Sequence, residues 1–224
     1  MLLALRQTGG GKSLGDEGDR IANAYLCAAI RKARPNDALL SEEEIDCTSR
    51  CAVSRVWIVD PLDGTREYSE GRDDWAVHVG LAIDGVPVAG AVALPAMGLT
   101  ICSETPPALL PANQPLKIAV SRTRPAEEAV TLAEILGADL LPMGSAGAKA
   151  MAVVRGEADI YLHTGGQYEW DNCAPVAVAK AAGLHCSRID GSPMRYNNAN
   201  PYLPDLMICR PELAEQALAL VKSL

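Results

Sequence analysis

Phenylalanine is absent from this 224-residue chain, and aromatic residues make up only 4% of it. The core must therefore be aliphatic, and stacking platforms of the kind that hold single-stranded nucleic acid are scarce. Positive charge is also short. Twenty Lys and Arg against 28 Asp and Glu leave a formal net charge of −8, which argues against a plain nucleic-acid-binding surface. No stretch approaches the ~20 consecutive apolar residues of a membrane-spanning helix. Met1 to Arg6 is apolar but too short for a signal peptide, with no basic start and no small-residue cleavage site. A cytoplasmic protein is expected. The seven cysteines contain no C-x-x-C pair, and only three histidines are present to help form a zinc site. Reduced, mostly buried thiols are therefore expected.

What is present is ordinary globular composition, 49% hydrophobic and 21% charged, in a chain long enough for one large domain or two small ones. Asp19 to Ile30 carries apolar positions at helical spacing, and Val56 to Val59 reads as a short buried strand. Trp75–Ile83 and Val86–Leu94 flank Asp84-Gly85, a hairpin signal. Prolines at 106, 107, 111 and 115 mark a linker. Beyond it, strands are expected over Leu116–Val120 and Ala158–His163. Helices are expected over Ala126–Leu136, Ala146–Val154, Asp171–Ala182 (with Asp171 as its cap) and from Pro211 to about Lys222. The pattern predicts two α+β halves packed on each other, residues 1–113 and 114–224.

The stretch richest in chemistry is Val56-Trp57-Ile58-Val59-Asp60-Pro61-Leu62-Asp63-Gly64-Thr65. A buried strand ends in an acid, a proline fixes the turn, and a second acid follows three residues later. Two carboxylates converging there repel unless a cation sits between them. Oxygen ligands suit Mg²⁺, and the Gly64 and Thr65 amides at a helix start suit a phosphate oxygen. An Asp-rich turn with capping acids is the other reading. Likewise Leu39-Leu40-Ser41-Glu42-Glu43-Glu44 reads either as a solvated acidic helix start or as a ligand segment, and Asp171 after Trp170 as a cap or a ligand.

Taken together, SEE, WIVDPLDGT and a downstream WD resemble the inositol monophosphatase superfamily of metal-dependent, lithium-inhibited phosphatases. The resemblance runs from about Leu2 to Arg210. Within the superfamily, LSEE, VWIVDPLDGTREY, GRDDWAVH, ALPA, GSAGAKAMAV, EWD and DGSPMRYN look most like CysQ-type 3′(2′),5′-bisphosphate nucleotidases, in particular their actinobacterial form. Glu67 and Tyr68 follow the nucleotidase pattern of the GT(K/R)E(F/Y) segment.

The resemblance implies a layered αβαβα fold with two mixed halves. It makes Glu42 a catalytic ligand of a first metal, with Glu43 the alternative. Asp60 bridges two metals, the Leu62 carbonyl completes the first site, and Asp63 and Asp171 bind the second. Thr65 and Asp19 orient and deprotonate the metal-activated water, Gly64 and Thr65 hold the phosphoryl oxygens, and Ser145 and Lys149 contact substrate. Arg195, Tyr196 and Tyr202 are weaker substrate candidates, and Arg66 and Arg72 are placed on the leaving-group side. Two Mg²⁺, with a third left open, are the implied cofactors. The implied reaction removes the 3′-phosphate of 3′-phosphoadenosine 5′-phosphate, giving AMP and phosphate, in sulfur assimilation. Inositol monophosphatase or fructose-1,6-bisphosphatase activity is the alternative within the class, and a shortened, non-catalytic binding relative the alternative outside it. No nucleic acid or membrane partner is implied, and a homodimer is among the expected states. Family members usually carry a longer first helix than the one this sequence opens with, which bears on packing more than on the matched acids.

Gly9-Gly10-Gly11-Lys12-Ser13 imitates the end of a P-loop, but Arg6 stands where that pattern needs a small residue and no strand precedes it. A loop leading Lys12 toward the active site is expected instead. His78, His163 and His185 are expected in ordinary core or surface roles.

Overall fold

The computed structural model describes residues 1–7 and 9–224, so Thr8 of the glycine-rich start lies outside the described residues. In chain order the elements are α1 (Leu2–Arg6), α2 (Lys12–Ala33), β1 (Ala38–Ser41), β2 (Arg55–Asp63), α3 (Thr65–Ser69), β3 (Ala76–Ile83), β4 (Val86–Leu94), β5 (Leu99–Cys102), β6 (Lys117–Ser121), α4 (Glu127–Leu136), β7 (Asp139–Met143), α5 (Ala146–Val154), β8 (Ile160–His163), β9 (Gln167–Tyr168), α6 (Glu169–Ala181), β10 (His185–Ser187), β11 (Tyr202–Leu203), β12 (Leu206–Cys209) and α7 (Ala214–Lys222). Among the described residues, no helix is long and apolar enough to cross a membrane.

Two five-stranded sheets organise the chain, ordered β1-β2-β3-β4-β5 and β10-β12-β8-β6-β7. Both are mixed: β1 runs parallel to β2, and β6 parallel to β7 and β8, with the remaining pairs antiparallel. The second sheet shows its two faces in its alternation. Ala119, Tyr161 and Ile208 face one core with α5 and α6, whereas Ile118, Val120, Ile160, Leu162 and Met207 face another under α4 and α7. On the first sheet Val56, Ile58, Ala76 and Val92 face α5 and α6, and Leu62 packs with Leu14, Ala22, Tyr68 and Trp75 beneath α2. The layers therefore run helix, sheet, helix pair, sheet, helix pair, as the layered αβαβα expectation requires.

The close seat of α6 on the first sheet depends on two glycines. A Cβ at Gly80 would stand 2.9 Å from the Ala174 nitrogen, and one at Gly90 would stand 2.6 Å from the Ala174 oxygen. Only hydrogen fits there, and the approach carries Asp171 toward the acids of β2.

Several boundaries differ from the sequence pattern for identifiable reasons. Helix α2 begins at Lys12 rather than near Asp19; its Gly15 and Gly18 lower helix propensity but let it lie directly on Thr65, Ser69, Leu62 and Tyr68. Strand β2 does not stop at Val59 but continues to Asp63, because a register shift between Asp60 and Asp63 accommodates Pro61. Asp171 is not the cap of α6: the helix starts at Glu169, Tyr168 is its cap, and Asp171 is the third helical residue, accepting from the Tyr168 N–H at 2.5 Å. The last helix begins at Ala214, after a 3₁₀ turn over Pro211–Leu213. The hairpin matches its signal: Asp84 and Gly85 both take positive φ, 50° and 75°, as the tight primed turn demands.

Candidate active site

Asp60 sits where β2 is still paired, opposite His78 of β3. The shift that follows brings Asp63 back to the same side, so that ligand atoms of Asp60, Asp63 and His78 all lie within 4.8 Å of one another. All three residues are buried. Burial, and then the charges of Asp63, Glu42 and Asp171, hold Asp60 well above the usual carboxylate range. Asp63 goes the other way. Burial raises its pKa, but His78, the Ser145 hydroxyl and the Gly147 N–H together outweigh that and leave it at about 2. The contacts are short: Ser145 Oγ donates to Asp63 Oδ2 at 2.5 Å and Gly147 N at 2.6 Å, Ala146 N donates to Oδ1 at 3.1 Å, and His78 Nε2 stands 3.2 Å from Oδ2. Asp63 thus anchors the N-terminus of α5 as well as facing the other acids.

Three further segments converge on this point. Glu42 follows β1, and its N–H donates to the Val59 carbonyl at 3.2 Å, which extends the parallel pairing by one residue. The residue as a whole is exposed, yet desolvation of its carboxyl and the charges of Asp171 and Asp19 raise its pKa to about 8, against a hydrogen bond with Asp60. Asp171 is raised to about 6, by desolvation and then by Asp63. Asp19 projects from α2 and is raised to about 7, by desolvation and then by Glu43. Thr65 Oγ1 stands 3.2 Å from Asp19 Oδ2 and 3.0 Å from the Leu62 carbonyl; its single proton serves one of them at a time. Asp19 Oδ1 is buried with no partner.

Raised carboxylates and an orphaned buried oxygen are what a cation or its water would satisfy. Glu42, Asp60, Asp63, Asp171 and the Leu62 carbonyl offer oxygen donors only, which suits a hard divalent cation. His78 is better read as a partner of the acids. Its Nδ1 lies 3.1 Å from the Trp170 carbonyl, and although burial disfavours its charge, Asp63 raises its pKa.

Beside the acids opens a cavity of about 550 Å³, lined by Asp63, Gly64, Ser145, Lys149 and Asp171 among others. Gly64 starts α3 at φ 87°, a conformation that favours glycine. Ser145 accepts from Ala148 N at 2.9 Å while donating to Asp63. Lys149 is no surface lysine: it is 5% exposed. Its Nζ donates to the Gly144 and Ser145 carbonyls at 3.0 and 2.6 Å and stands 5.3 Å from the Tyr161 ring centroid. Burial lowers its pKa, against the charges of Asp63 and Glu67.

The weaker candidates are not gathered here, apart from Arg66, which lines the cavity. Arg72 pairs with Asp74 at 2.7 Å, Tyr196 is buried and donates to Asn172 Oδ1 at 2.8 Å, and Arg195 and Tyr202 line a separate cavity of about 410 Å³. Lys12 borders a cavity of about 360 Å³ that shares Thr65 and Arg66 with the site region. His78 was missed by sequence reasoning. Its signal is the register opposite Asp60, which the twelve residues between β2 and β3 concealed. Also missed was the brace behind the site. Arg50 binds Asp46 at 2.7 Å and the Asn198 carbonyl at 2.8 Å, while buried Glu169 accepts from the Asn197 and Asn198 N–H groups at 2.7 and 2.8 Å.

The family model described as the inositol monophosphatase family matches residues 5–224. A 3′-phosphoadenosine 5′-phosphate phosphatase of Mycobacterium bovis is 51% identical over 214 residues, covering 90% of this chain and 79% of that protein. A protein of the same description from Mycobacterium leprae is 49% identical over 225 residues, covering 94% and 83%. Among solved structures, the extragenic suppressor protein suhB of Bartonella henselae superposes with a TM-score of 0.78 at 19% identity, covering 99% of this chain and 92% of that one; at that identity the likeness speaks for the fold.

Proposed function

The chain belongs to the inositol monophosphatase family, and from that premise we propose that it is a Mg²⁺-dependent phosphatase that removes the 3′-phosphate of 3′-phosphoadenosine 5′-phosphate, releasing AMP and phosphate. The observation that carries the reading is the convergence of Glu42, Asp60, Asp63 and Asp171 beside the Thr65–Asp19 pair. The description of the two mycobacterial relatives supports the choice of substrate.

Glu42, Asp60, Asp63, Asp171 and the Leu62 carbonyl would hold the metal, two Mg²⁺ in this reading. When bound, Mg²⁺ offsets the repulsion between phosphate and carboxylates, acidifies water and stabilises the leaving oxygen. The protein groups do the rest. The Gly64 and Thr65 amides orient the phosphoryl oxygens for in-line attack. Asp19, with its pKa near 7, accepts the water proton through Thr65, in the range where a general base works best at neutral pH. The water oxygen bonds to phosphorus as the P–O3′ bond breaks, and the ribose oxygen leaves as a hydroxyl after taking up a proton from solvent. Residues 1–113 supply most of the acids, and residues 114–224 supply Asp171 and the substrate wall. The cytoplasm, a role in sulfur assimilation and a homodimeric state complete the proposal.

The test is phosphate release from 3′-phosphoadenosine 5′-phosphate, inositol 1-phosphate and fructose 1,6-bisphosphate at equal low concentration with Mg²⁺. A kcat/KM at least about tenfold higher for the nucleotide, or ~1.4 kcal/mol of transition-state preference, is expected. A flat profile or a preference for a sugar phosphate overturns the substrate. Nucleotide binding without release overturns the catalytic reading.

A further inference from the structure

A bisphosphorylated nucleotide brings a second phosphate, and the cavity must neutralise it. We propose that Arg124 is the residue that binds this second phosphate and so selects bisphosphorylated over monophosphorylated esters. The inference rests on the phosphatase reading above and goes beyond it.

It follows from accounting for each cation near the cavity. Lys149 is buried, with two hydrogen bonds to main-chain carbonyls. Arg66 Nε donates to Glu70 at 2.8 Å. Arg122, in the loop that carries Arg124, is held by Glu67 at 2.7 Å and by Glu70 at 2.5 Å. His163 Nε2 lies 2.9 Å from the Gly166 carbonyl, and burial disfavours its charge. Arg124 lines the same cavity and is exposed. Among the described residues no carboxylate or carbonyl engages its guanidinium; only its backbone N–H is tied, to Ser121 Oγ at 3.2 Å.

The loop itself is fixed. Arg122 N donates to the Met143 carbonyl at 2.9 Å, its side chain is pinned by the two glutamates, and Pro125 follows Arg124. A guanidinium on an anchored loop, with its donors free, is the side chain best suited to grip a phosphate with two parallel hydrogen bonds. Asp63 and Asp171 line the same cavity as Arg124, so it holds both the acids that a metal would cover and a guanidinium that no acid engages. A substrate with two phosphates can use both the metal and the guanidinium; a monoester uses only the metal.

The test compares the full chain with Arg124→Ala and Arg124→Lys on 3′-phosphoadenosine 5′-phosphate and on adenosine 3′-monophosphate, which keeps the same scissile ester and lacks the second phosphate. In Arg124→Ala the loss in kcat/KM on the bisphosphate is expected to exceed the loss on the monoester by about 10- to 100-fold, the range of a charged hydrogen bond. It should be carried by KM and partly restored in Arg124→Lys. Equal losses on both esters, or no loss on either, overturn the proposal. Calorimetric titration with AMP needs no turnover and separates this proposal from the reaction it rests on. A Kd at least tenfold weaker in Arg124→Ala supports it even if wild type cleaves neither ester, and an unchanged Kd overturns it.

Discussion

Asp19→Asn is expected to make the metal-free protein more stable and the enzyme far slower. Asp19 is 6% exposed, one of its oxygens has no partner, and its pKa is raised from 3.8 to about 7. A group whose folded pKa is raised contributes fully below its unfolded pKa. That contribution is lost as pH rises toward the folded value. Between about pH 4 and pH 7 the unfolded chain therefore gives up the Asp19 proton while the folded chain keeps it. Three units at 1.36 kcal/mol each make the cost about 4 kcal/mol once the folded carboxylate has ionised. Asn cannot ionise and avoids this cost. At ~2–4 °C per kcal/mol for a chain of this size, the metal-free variant should melt roughly 8–16 °C above wild type at pH 8, and the two should converge near pH 4. Thermal unfolding followed by circular dichroism in chelator, at half-unit steps of pH, reads this directly. With Mg²⁺ restored, the variant should lose about 10²–10⁴-fold in kcat as a general base is removed. A melting difference independent of pH, or a variant less stable than wild type at pH 8, would refute the reasoning.

Metal binding should release protons near pH 7, because Glu42 at about 8 and the strongly raised Asp60 hold protons that a cation displaces; calorimetric heats that do not vary with the ionisation enthalpy of the buffer would count against this. Gly90→Ala places a Cβ about 2.6 Å from the Ala174 oxygen. It should cost ~1–3 kcal/mol and weaken Mg²⁺ binding because α6 carries Asp171; a variant with wild-type denaturation midpoint and metal Kd would show that the close approach is dispensable. Arg50→Ala removes the bridge from Asp46 to Asn198 behind the site. Breaking such a largely buried pair should cost about 3 kcal/mol in urea unfolding, and a loss below 0.5 kcal/mol would mean the brace is solvated in solution.

The parts of the site that were legible in the sequence are those whose geometry is local. The span from Asp60 to Thr65 brings its two acids together within six residues, through a register shift rather than the expected turn, and Asp84-Gly85 dictates its own hairpin. What sequence could not supply was how distant segments close on one another. Asp19 was recognisable only by resemblance, because the glycines that let α2 reach Thr65 also weaken its helical pattern. His78 was passed over because a lone histidine on a strand is ordinary. What gives it a role is the pairing of β3 with β2, which sets it against two carboxylates. Lys149 shows the same limit from the other side. Its place on the helix was clear, but not that all nine residues of α5 are buried between two sheets, which turns the ammonium back onto carbonyls of its own helix start.

These hidden features share one cause. Five acids on four segments repel one another, so a fold that gathers them must fix each segment by contacts remote from the charge. Here those contacts are Ala174 against Gly80 and Gly90 for Asp171, Gly15 against Thr65 for Asp19, and the α5 amides with His78 for Asp63. Glu42 is the exception. Its backbone is held by β1 and by one bond to Val59, and the residue as a whole is exposed although its carboxyl is desolvated. Of the proposed ligands Glu42 is the residue least packed by its surroundings, so it is the one expected to adjust most on metal binding, toward a place that the more buried acids define.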